Sequence, residues 1–156
     1  QSLEPKLKHY SRMNFSLAEL EATDVDPEAQ AVLLDPDGNI SENTTGNFFI
    51  VTDGVLRTPT DRSILQGVSR LDVLELAKNL GIPTSEEDLQ PYDAYTADEA
   101  FLSNTIYCVL PVSRIDNRTI GKEVPGPIVQ RLLAAWSEMV GVDIVDQAIH
   151  QSGAKG

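Results

Sequence analysis

The stretch SILQGVSRLDVLELAKNLG (Ser63–Gly81) links an apolar pair to a long periodic segment through a single glycine. From Ser69 onward the apolar residues recur at helical spacing, which predicts a helix. Gly81 stands where a C-terminal cap is expected, and Pro83 follows it. The residues predicted to form the buried face of this helix are Leu71, Leu74, Ala77 and Leu80.

Two interpretations of the glycine at the start of this helix are open. In the first, Gly67 makes a tight turn and Ser69 caps the helix. In the second, Gly67 clears room for a phosphate, which the unpaired amides of the first helical turn, at Gly67, Val68 and Ser69, then bind. These few residues alone favour the plain turn.

The composition limits the class of protein. A chain of 156 residues suffices for one domain with a core. A net charge of -12 argues against nucleic acid as a partner, and no apolar run approaches the length of a membrane span. The lone cysteine, Cys108, cannot form an intrachain disulfide, which fits a cytoplasmic location. The first residue is Gln1, so we expect a piece of a longer protein.

Strand and helix signals alternate along the rest of the chain and predict an α+β fold. We expect a mostly antiparallel or mixed, barrel-like sheet flanked by helices. The turn sequences DPDGN and TDG predict two hairpins. Further predicted elements are helices at Asn14–Ala22 and Pro125–Val140, and a tail after Gly141 that we expect to be weakly ordered.

Three further sites carry polar residues in unusual settings. Asn104 and Thr105 interrupt an apolar strand pattern and are interpreted either as anion ligands or as a turn bonded to backbone. Glu42 precedes a very apolar strand, so it is either a buried carboxylate that needs a partner or an exposed strand end. Lys8 is either an amine nucleophile or part of a solvated basic patch.

Taken in order, these signals form the pattern of a known family. A lysine, then SEN..GNFFIV.DG.L.TP, then ILQGVSR, then ADEAFLSNT....PV resemble the fold type IV pyridoxal-phosphate enzymes, the class IV aminotransferases. The group includes branched-chain and D-amino-acid aminotransferases and aminodeoxychorismate lyase. The resemblance runs from about Lys8 through RTIGKEVPGPIVQRLL, and implies a cofactor-binding domain at residues 1–140 and a tail at residues 141–156.

The resemblance also implies residue roles around a pyridoxal 5'-phosphate cofactor. Lys8 matches the Schiff-base lysine, with Lys6 as the less favoured register. Glu42 matches the acidic residue that bonds the pyridine nitrogen, and Leu65 the apolar residue against the ring. The matched phosphate ligands are Val68, Ser69, Asn104 and Thr105, with Gly67 clearing the space.

The resemblance has departures and leaves alternatives. Asn43 replaces the usual glycine after the glutamate, and nothing here corresponds to the family's small N-terminal domain. The implied reaction is amino-group transfer between an amino acid, or an amine, and a 2-keto acid, in a homodimer. The alternatives are β-elimination of the aminodeoxychorismate lyase type, or a non-catalytic fragment.

Overall fold

A computed structural model describes residue 6 and residues 12–152. It confirms the α+β class. The helices are α1 (Met13–Val25), α2 (Val68–Asn79), α3 (Pro91–Tyr95), α4 (Pro127–Val140) and α5 (Ile144–Ser152). The strands are β1 (Val32–Leu34), β2 (Ile40–Asn43), β3 (Asn47–Thr52), β4 (Val55–Pro59), β5 (Thr84–Glu87), β6 (Glu99–Asn104), β7 (Cys108–Pro111), β8 (Arg114–Ile115) and β9 (Arg118–Thr119).

Strands β1 to β7 form one sheet with β3 at its centre. β3 pairs antiparallel with β2, β4 and β6, and β5 joins β4 in the only parallel pairing of this sheet among the described strands. No pairing among these strands joins the two ends of the sheet, so it is open rather than a closed barrel. Both predicted hairpins form, and the positive φ angles of Asp53 and Gly54 explain the tight turn between β3 and β4.

The central strands are buried on both faces, because alternate side chains pack against different elements. On one face the Phe49 and Phe101 rings stack with centroids 4.8 Å apart, in a cluster with α2 and α4. On the other face Phe48 and Leu102 pack in a second cluster with Leu89. The near-continuous apolar run of β3 reflects this double burial.

The buried face of α2 differs from the prediction. The helix buries Val73, Leu76 and Ala77, whereas Leu71 is 51% exposed. Both stripes have helical spacing, so periodicity alone did not choose between them. The side chain of Arg70 lies on the buried stripe, which fixes the rotation of the helix.

The segment after Gly141 contains secondary structure that the sequence analysis did not predict. Gly141 adopts a left-handed conformation that ends α4, and α5 then runs from Ile144 to Ser152. The partly buried Ile144 packs against the cluster shared by α2 and α4. Among the described residues, no helix combines the length and the apolar character needed to cross a bilayer.

Candidate functional site

The candidate site lies where β2 and β3 meet the loop that leads into α2. Glu42 on β2 is 7% exposed, which excludes the interpretation as an exposed strand end. Its Oε2 atom accepts the backbone N–H of Leu65 at 3.0 Å. The buried carboxylate that the sequence analysis anticipated is therefore present, and it contacts the loop residue that was assigned to the same site.

The environment of the Glu42 carboxyl is unusual for an acid. Burial raises its pKa to about 7, although the N–H of Leu65 and the charge of Arg12 both lower it. Arg12 donates to the carbonyl of Thr44, which follows β2. A carboxyl group with this pKa is readily ionised when a cationic partner approaches.

The first turn of α2 is open to an anion. Its N-cap residue is Gly67, and among the described residues no side chain caps the helix and no acidic residue lies in its first turn. Val68 is exposed, whereas Ser69 is buried. The first turn therefore keeps amides without intrahelical partners, and the helix dipole adds positive charge there.

The contacts of Gly67 revise the reason for a glycine at this position. We expected Gly67 to clear space for a phosphate. The atom nearest to a Cβ built on Gly67 is instead Oδ1 of Asn47, at 2.5 Å. The side chain of Asn47 therefore requires the glycine, whatever else binds at the helix start.

The turn between β6 and β7 holds the other two predicted ligands. Oδ1 of Asn104 accepts the N–H groups of Ile106 and Tyr107, at 2.8 and 3.1 Å, and its Nδ2 donates to the carbonyl of Thr45 at 3.3 Å. These bonds match the alternative in which the Asn104 side chain stabilises a turn. Thr105 is exposed in that turn.

The pairing of the strands brings this turn towards the start of α2. Ser103 at the end of β6 pairs with Asn47, whose side chain reaches the loop before α2. Direct contacts thus join Glu42 to Leu65 and the side chain of Asn47 to Leu65 and Gly67, while Thr105 lies two residues beyond Ser103. Lys8 falls outside the described residues.

Lys6, the less favoured register for the lysine, is described. Its Nζ atom lies 4.0 Å from Oδ2 of Asp61, in the loop between β4 and α2. The start of the chain therefore approaches the same loop that carries Leu65. This contact agrees with a lysine from the first residues taking part in the site.

Three residues of the site were missed by the sequence analysis. Asn47 opens the apolar strand β3, and a polar residue at that place is a signal that could have identified it. Asn43 was noted only as a departure, yet its amide donates to the carbonyl of Ala31 at 2.8 Å. Arg70, 1% exposed, donates to the carbonyl of Pro59 at 3.0 Å, which anchors α2 beside the site.

The described residues offer little support for a metal site. Within them, no cluster of three or more His, Cys, Asp or Glu side chains is arranged to hold a metal ion. The chemistry of the site therefore follows from one buried carboxylate, one open helix start and the polar turns around them.

Comparison with known proteins places these features in a family. The family model described as amino-transferase class IV matches residues 1–115. A branched-chain-amino-acid aminotransferase of Pseudomonas aeruginosa is 36% identical over 111 residues, which are 71% of this chain and 36% of that protein.

Two solved structures share the fold. The branched-chain amino acid aminotransferase of Escherichia coli superposes with a TM-score of 0.76 at 34% identity, over 83% of this chain and 43% of that one. The enzyme of Thermobaculum terrenum in its PLP-form gives a TM-score of 0.83 at 31% identity, over 90% of this chain and 47% of the other. The chain therefore spans less than half the length of these two structures.

Proposed function

The chain belongs to the amino-transferase class IV family, and we propose that it binds pyridoxal 5'-phosphate and takes part in amino-group transfer between an amino acid and a 2-keto acid. One observation carries the proposal. The buried carboxylate of Glu42 bonds the N–H of Leu65, only two residues before the uncapped start of α2. A cationic ring nitrogen and a phosphate at opposite ends of one small molecule need this pair of features.

The residues present fit the cofactor at the ring end. Glu42 has a pKa of about 7 because burial disfavours its charge. A protonated ring nitrogen beside the carboxylate would favour the charged form and offset that cost. When bound, pyridoxal phosphate supplies the electron sink for the reaction. Glu42 would keep the ring nitrogen protonated.

The residues also fit the phosphate end. The amide of Val68 and the hydroxyl and amide of Ser69 would bind the dianion, as would Thr105 from the β6–β7 turn. Leu65 would cover one face of the ring and exclude water. The backbone contacts of Asn104 suit a supporting role, because they shape the turn that presents Thr105.

The proton transfers need a base, and Lys8 is the proposed one. Its Nζ would hold the cofactor and then, once free, remove the proton from Cα of the substrate and return it elsewhere. The names of the relatives favour amino-group transfer over β-elimination, and they suggest a branched-chain amino acid as the donor. The homodimer, the cytoplasmic location and the domain boundary at residue 140 remain predictions.

The lysine assignment is tested with borohydride. The full-length protein is mixed with pyridoxal phosphate, reduced with borohydride, digested and mapped by mass spectrometry. We expect the cofactor to be attached at Lys8, and the Lys8→Ala variant to lose both the attachment and the visible absorbance. Lys6→Ala is the matched control and should keep both. Attachment at Lys6, or retained by Lys8→Ala, would show that the assignment is wrong.

The reaction is tested by product analysis. L-leucine and 2-oxoglutarate are supplied to the full-length protein, and the formation of glutamate is measured. Glutamate formation that depends on Lys8 supports the proposal. Release of pyruvate from an aminodeoxychorismate-type substrate without glutamate formation would favour β-elimination, and the absence of both cofactor absorbance and product would leave a non-catalytic protein.

A further inference from the structure

Leu65 is held at both polar atoms of its backbone by side chains from two adjacent strands. Its N–H donates to Oε2 of Glu42 at 3.0 Å. Its carbonyl accepts Nδ2 of Asn47 at 2.8 Å. A loop residue bonded in this way cannot rotate about either neighbouring peptide without losing a buried hydrogen bond.

The two side chains that hold Leu65 are themselves fixed to each other. Glu42 and Asn47 are directly opposite one another in the β2–β3 pairing. Both are buried, with 7% and 4% of their surface exposed. On its other side Asn47 pairs with Ser103 of β6. Asn47 therefore occupies a rigid position between three strands, whereas Leu65 lies in a loop.

Gly67 completes the arrangement. Its N–H also donates to the carbonyl of Leu65, at 2.9 Å. The space that a Cβ on Gly67 would occupy lies 2.5 Å from Oδ1 of Asn47. The amide of Asn47 is therefore wedged between the carbonyl of Leu65 and the start of α2. A methyl group on Gly67 would push it away from Leu65.

We propose that Asn47 is a positioning residue that fixes Leu65 against Glu42 and sets the start of α2 relative to both. The consequence for the reaction rests on the proposed function: Asn47 would align the ring face that Leu65 covers, the ring nitrogen that Glu42 binds and the phosphate seat. Asn47 itself contacts only backbone and Gly67 in this arrangement.

The test measures the contact between Leu65 and Glu42 in the chain without cofactor. Asn47→Ala removes the amide, and Gly67→Ala displaces it without removing it. Carbon-detected NMR gives the pKa of the Glu42 carboxyl, and hydrogen exchange gives the protection of the Leu65 amide. Because the Leu65 N–H lowers the pKa of Glu42, both variants should raise that pKa by ~0.5 unit or more. They should also speed exchange at Leu65 by about tenfold.

Thr58→Val is the matched control. Thr58 is fully buried, and its hydroxyl donates to the carbonyl of Phe48 at 2.9 Å, so the variant loses a similar bond away from Leu65. It should leave the pKa of Glu42 and the exchange of Leu65 unchanged.

Unchanged values in Asn47→Ala, or equal changes in Thr58→Val, would overturn the positioning role. If Asn47→Ala does not fold, the result with Gly67→Ala decides. The outcome is separable from the proposed function, because the contact is measured without pyridoxal phosphate. A full-length protein that shows these shifts but binds no pyridoxal phosphate would refute the proposed function alone.

Discussion

Replacing Glu42 by glutamine should make the chain more stable at alkaline pH, in the absence of cofactor. The wild-type carboxyl is buried, and its pKa is raised from 4.5 to about 7. The folded state then binds this proton more tightly than the unfolded state does. The stability linked to Glu42 is therefore fully present below pH 4.5 and is lost as the pH rises through 7.

The size of the effect follows from the two pKa values. Their difference corresponds to about 3 kcal/mol of lost stability once Glu42 is ionised in both states. Glutamine stays neutral and its side-chain oxygen can still accept the N–H of Leu65. Glu42→Gln should thus gain about 3 kcal/mol at pH 8 and less than about 1 kcal/mol at pH 5.

The assay is urea denaturation of both chains across this pH range. Glu99→Gln is an informative control, because Glu99 is also buried but accepts two bonds, from the N–H groups of Ile128 and Val129 at 2.9 and 2.8 Å. Its replacement should destabilise the chain at pH 8, by about 2 kcal/mol. Equal pH dependence in wild type and Glu42→Gln would refute the reasoning about Glu42.

Three substitutions test the packing that supports the site, each by chemical denaturation. Arg70→Ala should cost about 3–5 kcal/mol, because it leaves Glu86 and a buried carbonyl without their cationic partner. Gly121→Ala should cost about 2 kcal/mol or more, since φ is +69° and a Cβ would lie 2.1 Å from the carbonyl of Asp98. Leu132→Ala should cost about 2–5 kcal/mol by opening a cavity in the cluster under α4.

Matched controls separate these costs from general effects of substitution. Arg62→Ala removes an exposed ion pair with Asp88 and should cost less than about 1 kcal/mol. Gly54→Ala should cost about 1–2 kcal/mol from its positive φ alone, because nothing lies within 4 Å of the added Cβ. Leu71→Ala should cost less than about 1 kcal/mol because Leu71 is half exposed. A control as costly as its partner would refute the corresponding argument.

The local parts of the fold were predictable because their signals are local. The turn at Asp53 and Gly54 needs two positive φ angles, which its sequence supplies and the structure has. The rotation of α2 was not predictable from spacing. It depends on Arg70 reaching Glu86, sixteen positions along the chain, at 2.5 Å.

The site shows the same division. The burial of Glu42 and the glycine before α2 were anticipated from residue types alone. The reason for that glycine was not, because it depends on Asn47, which is twenty residues away in sequence and in contact in space. Pairing between strands creates this contact, so a reading of neighbouring residues cannot find it.

A last prediction compares the two helix starts beside the sheet. The first amides of α4 are satisfied by the carboxylate of Glu99, which approaches so closely that Gly126 has no room for a Cβ. Among the described residues, α2 has no such carboxylate. Val68, its first residue and 67% exposed, can supply one. Val68→Asp should stabilise the chain without cofactor by about 0.5 kcal/mol at low ionic strength, through the helix dipole.

The same substitution should weaken binding of pyridoxal phosphate to the full-length protein by tenfold or more, because the new carboxylate repels the phosphate from the amides it needs. Val68→Asn, which has a similar shape and no charge, should bind the cofactor nearly as well as wild type. Denaturation and a visible-absorbance titration measure the two effects. Undiminished cofactor binding by Val68→Asp would mean that the phosphate is held elsewhere. A loss shared equally by Val68→Asn would mean that the shape of Val68, and not the charge at the helix start, controls binding.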